Sequence, residues 1–286
     1  FVVGDWNGHG QVKGCSNTSC PQSVNAGLDI FMVPTDAWKP LYENTIAQVK
    51  NGEIELSRIN DAVSRILRVK LRAGLFDKPS PAKRVFSGKT ELIGSQEHRE
   101  VARQAVRESL VLLKNKNGLL PLSPTMNILV AGDAADNIGK QSGGWTITWQ
   151  GTNNENSDFP GGSSIYDGLA AQVTAAGGQI ELSENGEYSR KPDVAIVVYG
   201  EEPYAEGQGD REDLIYQKGS KKDLALLKRL QARGIPVVSV FISGRPMWVN
   251  AELNASDAFV AAWLPGSEGL AVADVLLTDA KAQIQH

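Results

Sequence analysis

The sequence has 286 residues and a mass of 30.8 kDa, which is enough for one large domain or two of medium size. Its 41% hydrophobic and 22% charged residues are close to the globular average, so the composition excludes a disordered or fibrous chain. The net charge of −4 argues against a protein that binds nucleic acid by neutralising phosphates. No apolar run reaches the ~18–20 residues that a membrane helix needs, so we expect neither nucleic acid nor membrane as a partner.

The first 76 residues predict two strands followed by helices. Residues 1–4 predict a short buried strand, and residues 28–34 predict a second strand that a proline ends. Apolar residues recur at helical spacing over residues 38–75, with a second helix that starts at Ser57. This order is typical of the last part of an α/β barrel. Because the sequence opens inside a strand and shows no leader segment, we expect an internal piece of a longer protein.

The rest of the chain predicts a linker and then an α/β sandwich. Residues 77–97 are poor in periodicity and form the predicted interdomain linker, and a helix is predicted over residues 96–115. Further on, strands alternate with helices, which predicts a mostly parallel sheet covered on both faces in a domain of residues 98–286. The predicted strands are 127–131, 194–199, 236–242 and 258–263, and the predicted helices are 164–176, 221–233 and 268–277.

Cysteine and histidine are scarce in this sequence. Cys15 and Cys20 lie in a turn-forming segment, where either a short-loop disulfide or two free thiols is consistent with the spacing. A disulfide would suit a secreted or periplasmic protein. With three histidines in the whole chain, we expect no metal site, no serine–histidine–aspartate triad and no cofactor.

Two segments combine acidic and aromatic residues where strands end. Asp5 and Trp6 follow the first predicted strand, and residues 199–211 place four acids and two tyrosines after the strand 194–199. Functional groups of α/β proteins lie at such strand ends. A carboxylate beside an aromatic ring suits carbohydrate chemistry, because the ring packs on sugar C–H groups. The alternatives are a capping role for Asp5 and a solvated acidic loop at 199–211.

A third segment, residues 143–151, places Trp145 and Trp149 in a glycine-flanked polar stretch. This pattern favours a binding platform, although a tryptophan tucked beneath a surface loop is the alternative. Ser267 is one residue short of a nucleophile-elbow motif, and we expect it to cap the following helix instead. Phosphate-binding glycine motifs are not present, which makes a doubly wound nucleotide-binding protein improbable.

In their order along the chain, these segments resemble glycoside hydrolase family 3, in its β-glucosidase and exo-1,3/1,4-β-glucanase branch. The resemblance rests on segments 2–6, 25–29, 59–76, 108–115, 144–151, 200–210, 243–246 and 263–269. It implies the C-terminal part of an (α/β)8-type barrel followed by an (α/β)6 sandwich domain, with an active site between them.

The resemblance also implies roles for individual residues. Asp5 would be the catalytic nucleophile and Glu206 the general acid/base, with Glu202 and Glu201 as alternatives for the second role. Substrate-binding roles would fall to four residues, of which the first two would sandwich a sugar at the +1 subsite: Trp6, Trp149, Glu202 and Tyr204. The Cys15–Cys20 pair would form a loop disulfide near the cleft.

The implied reaction is retaining hydrolysis of β-linked glucose oligosaccharides from their non-reducing ends, through a covalent glycosyl-enzyme. For the acid we expect a raised pKa. A catalytically inactive carbohydrate-binding fragment and a β-xylosidase are the alternatives. A β-N-acetylglucosaminidase is disfavoured, because its histidine-bearing loop is not seen. The oligomeric state stays open.

Overall fold

The computed structural model describes residues 1–277, so the last nine residues of the predicted second domain lie outside the described part. The chain divides into two compact units, one of Phe1–Lys89 and one that begins at Thr90. The class is α/β, as predicted.

The first unit pairs two short parallel strands and adds helices after them. Strand β1 places Val3 opposite Ile30 of β2 and Trp6 opposite Met32. Both strands and the two helices after them were predicted, but the prediction that β1 is buried was wrong, since Val3 is 48% exposed, and the second helix begins at Leu56, one residue before the predicted start. The elements are β1 (Val3–Trp6), α1 (Pro21–Asn25), β2 (Ile30–Met32), α2 (Trp38–Lys50) and α3 (Leu56–Arg72).

An ion pair ties α3 to the two strands of the first unit. Arg58 pairs with Asp29, and its guanidinium also donates to the carbonyl oxygen of Val24 at 2.9 Å. Asp29 in turn accepts a hydrogen bond from the Val2 backbone N–H at 2.8 Å. These donors, the backbone of Val2 first, hold the pKa of the Asp29 carboxyl below its usual range. The start of β1 is therefore fixed by charge-assisted contacts rather than by apolar packing.

The second unit contains a six-stranded sheet in the part of the chain that the structure describes, with the strand order β3-β8-β7-β6-β4-β5. All neighbours are parallel except β3, which runs antiparallel to β8 at one edge. The strands are β3 (Val111–Asn115), β4 (Asn127–Ala131), β5 (Gln179–Leu182), β6 (Val194–Gly200), β7 (Val237–Ile242) and β8 (Ala258–Trp263).

Helices cover both faces of this sheet, and the central strand β6 is wholly buried. Its side chains alternate between two apolar clusters, so that Ile196 packs on one face and Val197 on the other. This is the near-continuous apolar run that a parallel sheet requires. The helices of the unit are α4 (Gln96–Ser109), α5 (Ile138–Ser142), α6 (Ile165–Ala175), α7 (Lys222–Ala232), α8 (Asn250–Asn254) and α9 (Gly269–Leu276).

Two local predictions were wrong. The helix predicted over 96–115 ends at Ser109, and the next residues form β3 because they pair with β8. The N-cap of α9 is Glu268 rather than Ser267, whose hydroxyl instead donates to the Glu268 carboxylate at 3.1 Å. None of the helices within residues 1–277 combines the length and apolarity needed to cross a bilayer.

Candidate active site

Asp5 lies at the carboxyl end of β1, in the penultimate position of the strand. Its Oδ1 accepts a hydrogen bond from the backbone N–H of Trp6 at 2.7 Å. The Trp6 side chain is 62% exposed, and the chain turns away at Asn7, which has a positive φ of 49°. The strand thus ends with a carboxylate followed by an exposed aromatic residue.

The segment after Trp6 contains a short disulfide-closed loop, because Cys15 and Cys20 are bonded to each other in the structure. Between Trp6 and this loop, His9 is buried, with its ring edge-on to Phe31 and its Nε2 2.9 Å from the carbonyl oxygen of Asn17. His9 is therefore held by local packing, and its environment is that of a structural residue.

In the second unit, the switch point of the sheet lies between β4 and β6. From β4 the chain proceeds to β5 on one side, whereas β6, β7 and β8 continue on the other. Ligands of open α/β sheets bind outside the carboxyl ends of the strands at such a point. Two segments meet there, namely residues 132–151 after β4 and residues 201–210 after β6, which we call the acidic loop.

Glu206 lies at the tip of the acidic loop and is exposed to solvent. Its Oε2 accepts hydrogen bonds from the indole N–H groups of Trp145 at 2.9 Å and Trp149 at 2.8 Å. The two indole rings lie 6.3 Å apart at a tilt of 51°. Both indoles are exposed, by 71% and 55%, so they form an open platform with a carboxylate at its edge. The structure therefore brings Trp149 and Glu206 together.

Gln150 joins the tryptophan segment to the acidic loop. Its amide Nε2 donates to the carbonyl oxygen of Glu206 at 3.0 Å, and its Oε1 accepts from the backbone N–H of Ala205 at 2.7 Å. Gly144 permits this approach, because a Cβ there would overlap the carbonyl group of Tyr204. The position of Glu206 is thus set by both segments together.

The pKa of Glu206 is lowered, chiefly by the hydrogen bond from Trp149 and less by that from Trp145. Donors to a carboxylate stabilise its charged form. The direction is opposite to the raised pKa expected for a general acid. The reason is exposure, since the carboxyl lacks the burial that would oppose its ionisation.

The other two glutamates considered for the acid/base role are held in ion pairs. Glu201 is nearly buried and accepts from Arg245 at 3.1 Å. Glu202 accepts from the buried Lys140 at 2.8 Å, and Lys140 also bonds Asp133 at 2.9 Å. Their carboxylate oxygens are thus already engaged by cationic side chains, which leaves both glutamates less available to a ligand.

Tyr204 is half-buried, and the guanidinium carbon of Arg245 lies 4.1 Å from its ring centroid. Burial, followed by the nearby charge of Glu201, raises the pKa of its phenol. Tyr204 and Glu202 also line a small cavity of about 190 Å³ together with Trp145. A neighbouring polar cavity of about 320 Å³ lies between the acidic loop and Asp133.

Sequence reasoning did not identify Gln150, Lys140 or Arg245 as site residues. Gln150 is adjacent to Trp149 in the glycine-flanked segment, so its place beside a predicted binding residue could have identified it. Arg245 follows the carboxyl end of β7, in the Ser-Gly-Arg-Pro segment of residues 243–246. Lys140 lies on a five-residue helix whose burial no periodicity could predict.

Two family models match the chain. The model described as "Glycosyl hydrolase family 3 C-terminal domain" matches residues 110–283, and that described as "Glycosyl hydrolase family 3 N terminal domain" matches residues 1–69. The first of these alone covers more than half of the sequence.

Individual relatives are similar over nearly the whole chain. A crystal structure of exo-1,3/1,4-beta-glucanase from a Pseudoalteromonas species is 59% identical, with a TM-score of 0.93 over 100% of this chain and 36% of its own. A lysosomal beta glucosidase of Dictyostelium discoideum is 35% identical over 275 residues, 90% of this chain and 32% of its own length. A beta-xylosidase of Formosa agariphila is 32% identical over 278 residues, 90% and 37% respectively. The chain thus spans about a third of each relative.

Proposed function

The chain belongs to glycosyl hydrolase family 3, and from this premise we propose that it carries the two catalytic carboxyl groups of a β-glucoside hydrolase. The proposed reaction releases glucose from the non-reducing ends of β-linked glucose oligosaccharides with retention of configuration. The observation that carries the proposal is Glu206 at the edge of the Trp145–Trp149 platform. The 59% identity to a protein named exo-1,3/1,4-beta-glucanase supports the substrate class.

Asp5 is the proposed nucleophile. It attacks the anomeric carbon, the glycosidic oxygen leaves, and a covalent glycosyl-enzyme forms. Its place at a strand end, beside an exposed Trp6, supports this role.

Glu206 is the proposed general acid/base. It protonates the leaving oxygen in the first step and removes a proton from the attacking water in the second. Glu201 and Glu202 are the weaker choices because Arg245 and Lys140 already engage their carboxylate oxygens. Within the described residues, the Glu206 side chain accepts hydrogen bonds from the neutral indole N–H groups of Trp145 and Trp149, both on Oε2, so protonation of this carboxylate displaces no cation. We expect a bound sugar to exclude water around Glu206 and so raise its pKa.

The exposed tryptophans are the proposed sugar platform. Trp6 and Trp149 would stack on the two faces of the sugar at the +1 subsite, with Glu202 and Tyr204 as further sugar contacts. The free ring face of Trp149 supports this role, because its indole N–H is already directed to Glu206. The stacked Trp149 ring would bury apolar surface of the sugar, while its indole N–H keeps the Glu206 carboxylate oriented.

For the fold we propose the end of an (α/β)8 barrel in residues 1–76, a linker in 77–97 and an (α/β)6 sandwich from residue 98. The parallel β1–β2 pair and the separate six-stranded sheet support this arrangement. We also propose a secreted or periplasmic location, which the Cys15–Cys20 disulfide supports.

The test is hydrolysis of p-nitrophenyl β-glucoside by the intact natural polypeptide, followed by NMR. We expect β-glucose as the first product, since two inversions give net retention. A 2-deoxy-2-fluoroglucoside with a good leaving group should then label the peptide that contains Asp5. Release of α-glucose first, or a label elsewhere, would contradict the proposal.

A β-xylosidase is the second candidate, favoured by the 32% identity to a protein of that name. The ratio of kcat/KM for p-nitrophenyl β-glucoside and β-xyloside separates the two. A ratio above one supports the glucosidase, and a ratio below one supports the xylosidase. Binding of glucan without hydrolysis of either substrate would support a non-catalytic carbohydrate-binding role instead.

A further inference from the structure

The proposed function makes no use of the Ser-Gly-Arg-Pro segment that follows β7. This segment begins directly after Ile242, beside the acidic loop, and the Glu201 backbone N–H donates to the Ile242 carbonyl oxygen at 3.0 Å. The Ser243 backbone N–H donates to the carbonyl oxygen of Trp263 at 3.1 Å. The segment is therefore fixed to the sheet on both sides, and its arginine projects from a rigid base.

Arg245 contacts the acidic loop at three points. Its Nε donates to Glu201 Oε1 at 3.1 Å, and its Nη1 donates to the carbonyl oxygen of Gly209 at 2.7 Å. Its guanidinium also stacks on the Tyr204 ring at 4.1 Å. Glu201 and Gly209 are the two ends of a stretch that contains Glu206. One side chain thus joins the beginning of the loop to its end.

The chemistry of the guanidinium explains why this residue is an arginine. Its planar fork presents five donors in fixed directions and stacks on an aromatic face, whereas a lysine ammonium is a single compact charge. Tyr204 can lie against it because a Cβ at Gly209 would overlap the Tyr204 ring. A lysine at 245 could keep the Glu201 ion pair but would lose the simultaneous Gly209 and Tyr204 contacts.

The loop needs such a constraint. Gly207 and Gly209 follow Glu206 closely in the loop, and glycine loses more backbone freedom on ordering than any other residue. A proton donor that is misplaced by about 1 Å can lose about 10²-fold in rate. Contacts that fix both ends of the loop therefore bear directly on proton transfer.

We propose that Arg245 is a positioning residue that holds the two ends of the acidic loop together and so places Glu206 for proton transfer. This inference rests on the proposed acid/base role of Glu206. Arg245 is assigned no direct contact with the substrate, and it acts through Glu201, Tyr204 and Gly209.

The kinetic test compares Arg245→Lys with the unaltered protein on two aryl β-glucosides. A 4-methoxyphenolate leaving group needs protonation, whereas 2,4-dinitrophenolate leaves without it. We expect kcat/KM to fall by about 10²-fold, within the range of general acid catalysis, for the methoxyphenyl glucoside. The dinitrophenyl glucoside should be far less affected. Equal losses on both substrates would show a merely structural role and overturn the inference.

Arg211→Lys is the matched control. Arg211 also lies near Glu201, at 3.5 Å, but its other contacts are to Asp213 and to the carbonyl oxygen of Ile215. We expect this variant to keep both activities. Tyr204→Leu removes the stacking partner together with a proposed sugar contact, so kcat/KM should fall on both substrates, but further on the methoxyphenyl glucoside than on the dinitrophenyl glucoside. If neither Arg245→Lys nor Tyr204→Leu shows this dependence on the leaving group, the inference is overturned.

Hydrogen exchange makes the inference testable apart from activity. In Arg245→Lys, peptides covering 201–210 should exchange faster, while the β6 peptide covering 194–200 stays protected. Unchanged exchange in the loop would overturn the inference even in an inactive protein. If the unaltered protein hydrolyses neither glucoside but the loop exchange changes, the proposed function fails while the Arg245 contact stands as a loop constraint.

Discussion

Strand β1 contains one proposed catalytic carboxylate, that of Asp5, and strand β6 leads into the loop that carries the other, that of Glu206. The two strands differ in their surroundings. Every residue of β6 is buried between β4 and β7. In β1, Val3 is 48% exposed and Trp6 is 62% exposed, and within the described residues the strand pairs with β2 alone. Both strands contain or continue an apolar run in the sequence, residues 1–3 for β1 and residues 194–199 for β6. The comparison teaches that an apolar run predicts a strand, whereas its burial depends on neighbours supplied by the rest of the fold.

The two carboxylates differ in the same way. Asp5 accepts a hydrogen bond from the backbone of its own neighbour, whereas Glu206 accepts from Trp145 and Trp149, which follow a different strand. The environment of Asp5 is local in sequence, and that of Glu206 is assembled by the sheet. Substitutions in the two regions should therefore fail in different ways.

The largest expected effect is on catalysis and separates the two carboxylates. Asp5→Asn should abolish hydrolysis of every aryl glucoside by several orders of magnitude, because no other group can form the intermediate. Glu206→Gln should lose about 10²–10⁴-fold on poor leaving groups but much less on 2,4-dinitrophenyl glucoside. Azide should rescue Glu206→Ala and give β-glucosyl azide, since it attacks without a base. Glu212→Gln, an exposed carboxylate nearby, is the control. If the Asp5 and Glu206 variants lost activity in the same proportion on all of these glucosides, the two carboxylates could not be assigned different roles.

The next effect concerns the difference in burial. Leu129 on β4 is fully buried, so Leu129→Ala should lower the free energy of unfolding by about 2–5 kcal/mol. Leu71 on α3 is 62% exposed, so Leu71→Ala should change the free energy of unfolding by less than about 0.5 kcal/mol. Urea denaturation of the 286-residue chain measures both. A large cost at Leu71 would mean that this face of α3 is covered in solution.

A smaller effect is expected for the charged contact between α4 and α9. Burial by itself raises the pKa of Asp274, but hydrogen bonds from Arg103 and Arg107 outweigh it and lower the pKa below the ordinary 3.8. Asp274→Asn should cost about 1–3 kcal/mol at neutral pH, because both guanidinium groups lose their partner.

The pH dependence of this pair has a definite sign. A lowered folded-state pKa contributes stability above the ordinary value, and that contribution is lost as the pH falls through the folded-state value. The stability gap between the unaltered chain and Asp274→Asn should therefore shrink below about pH 4. Asp61→Asn, at an exposed carboxylate on α3, should cost at most about 1 kcal/mol. A gap for Asp274 that does not depend on pH would contradict this account.

The smallest effect is a shift in a pH profile. Trp149→Phe keeps a ring but removes the donor that lowers the pKa of Glu206 most. The pKa of Glu206 should rise, so the basic limb of kcat/KM, which reports loss of the acid's proton, should move to higher pH. Trp145→Phe should move it in the same direction but by less. A shift to lower pH, or a larger one for Trp145, would contradict the order of these donors.

The sequence predicted the parts of the fold whose pattern is local. Strands β4, β6, β7 and β8 were predicted because each is a short apolar run between turn signals. Strand β3 was missed because Val111–Asn115 continues the helical spacing of α4, and only pairing with β8 makes it extended. Strand β5 was missed because it is a half-exposed edge strand with Gln179 and Glu181 among its four residues.

The sequence by itself determined the family, the class of fold and the acidic and aromatic residues at strand ends, because these are fixed by residue type, order and spacing. Tertiary structure decided which glutamates pair with cationic side chains, which direction the pKa of Glu206 takes, and which arginine contacts its loop. Residues 145, 206 and 245 are far apart in the chain. The segments that carry them come into contact where β4, β6 and β7 end together. Hydrogen bonds and ion pairs depend on distances of a few ångströms, and only the folded sheet sets those distances.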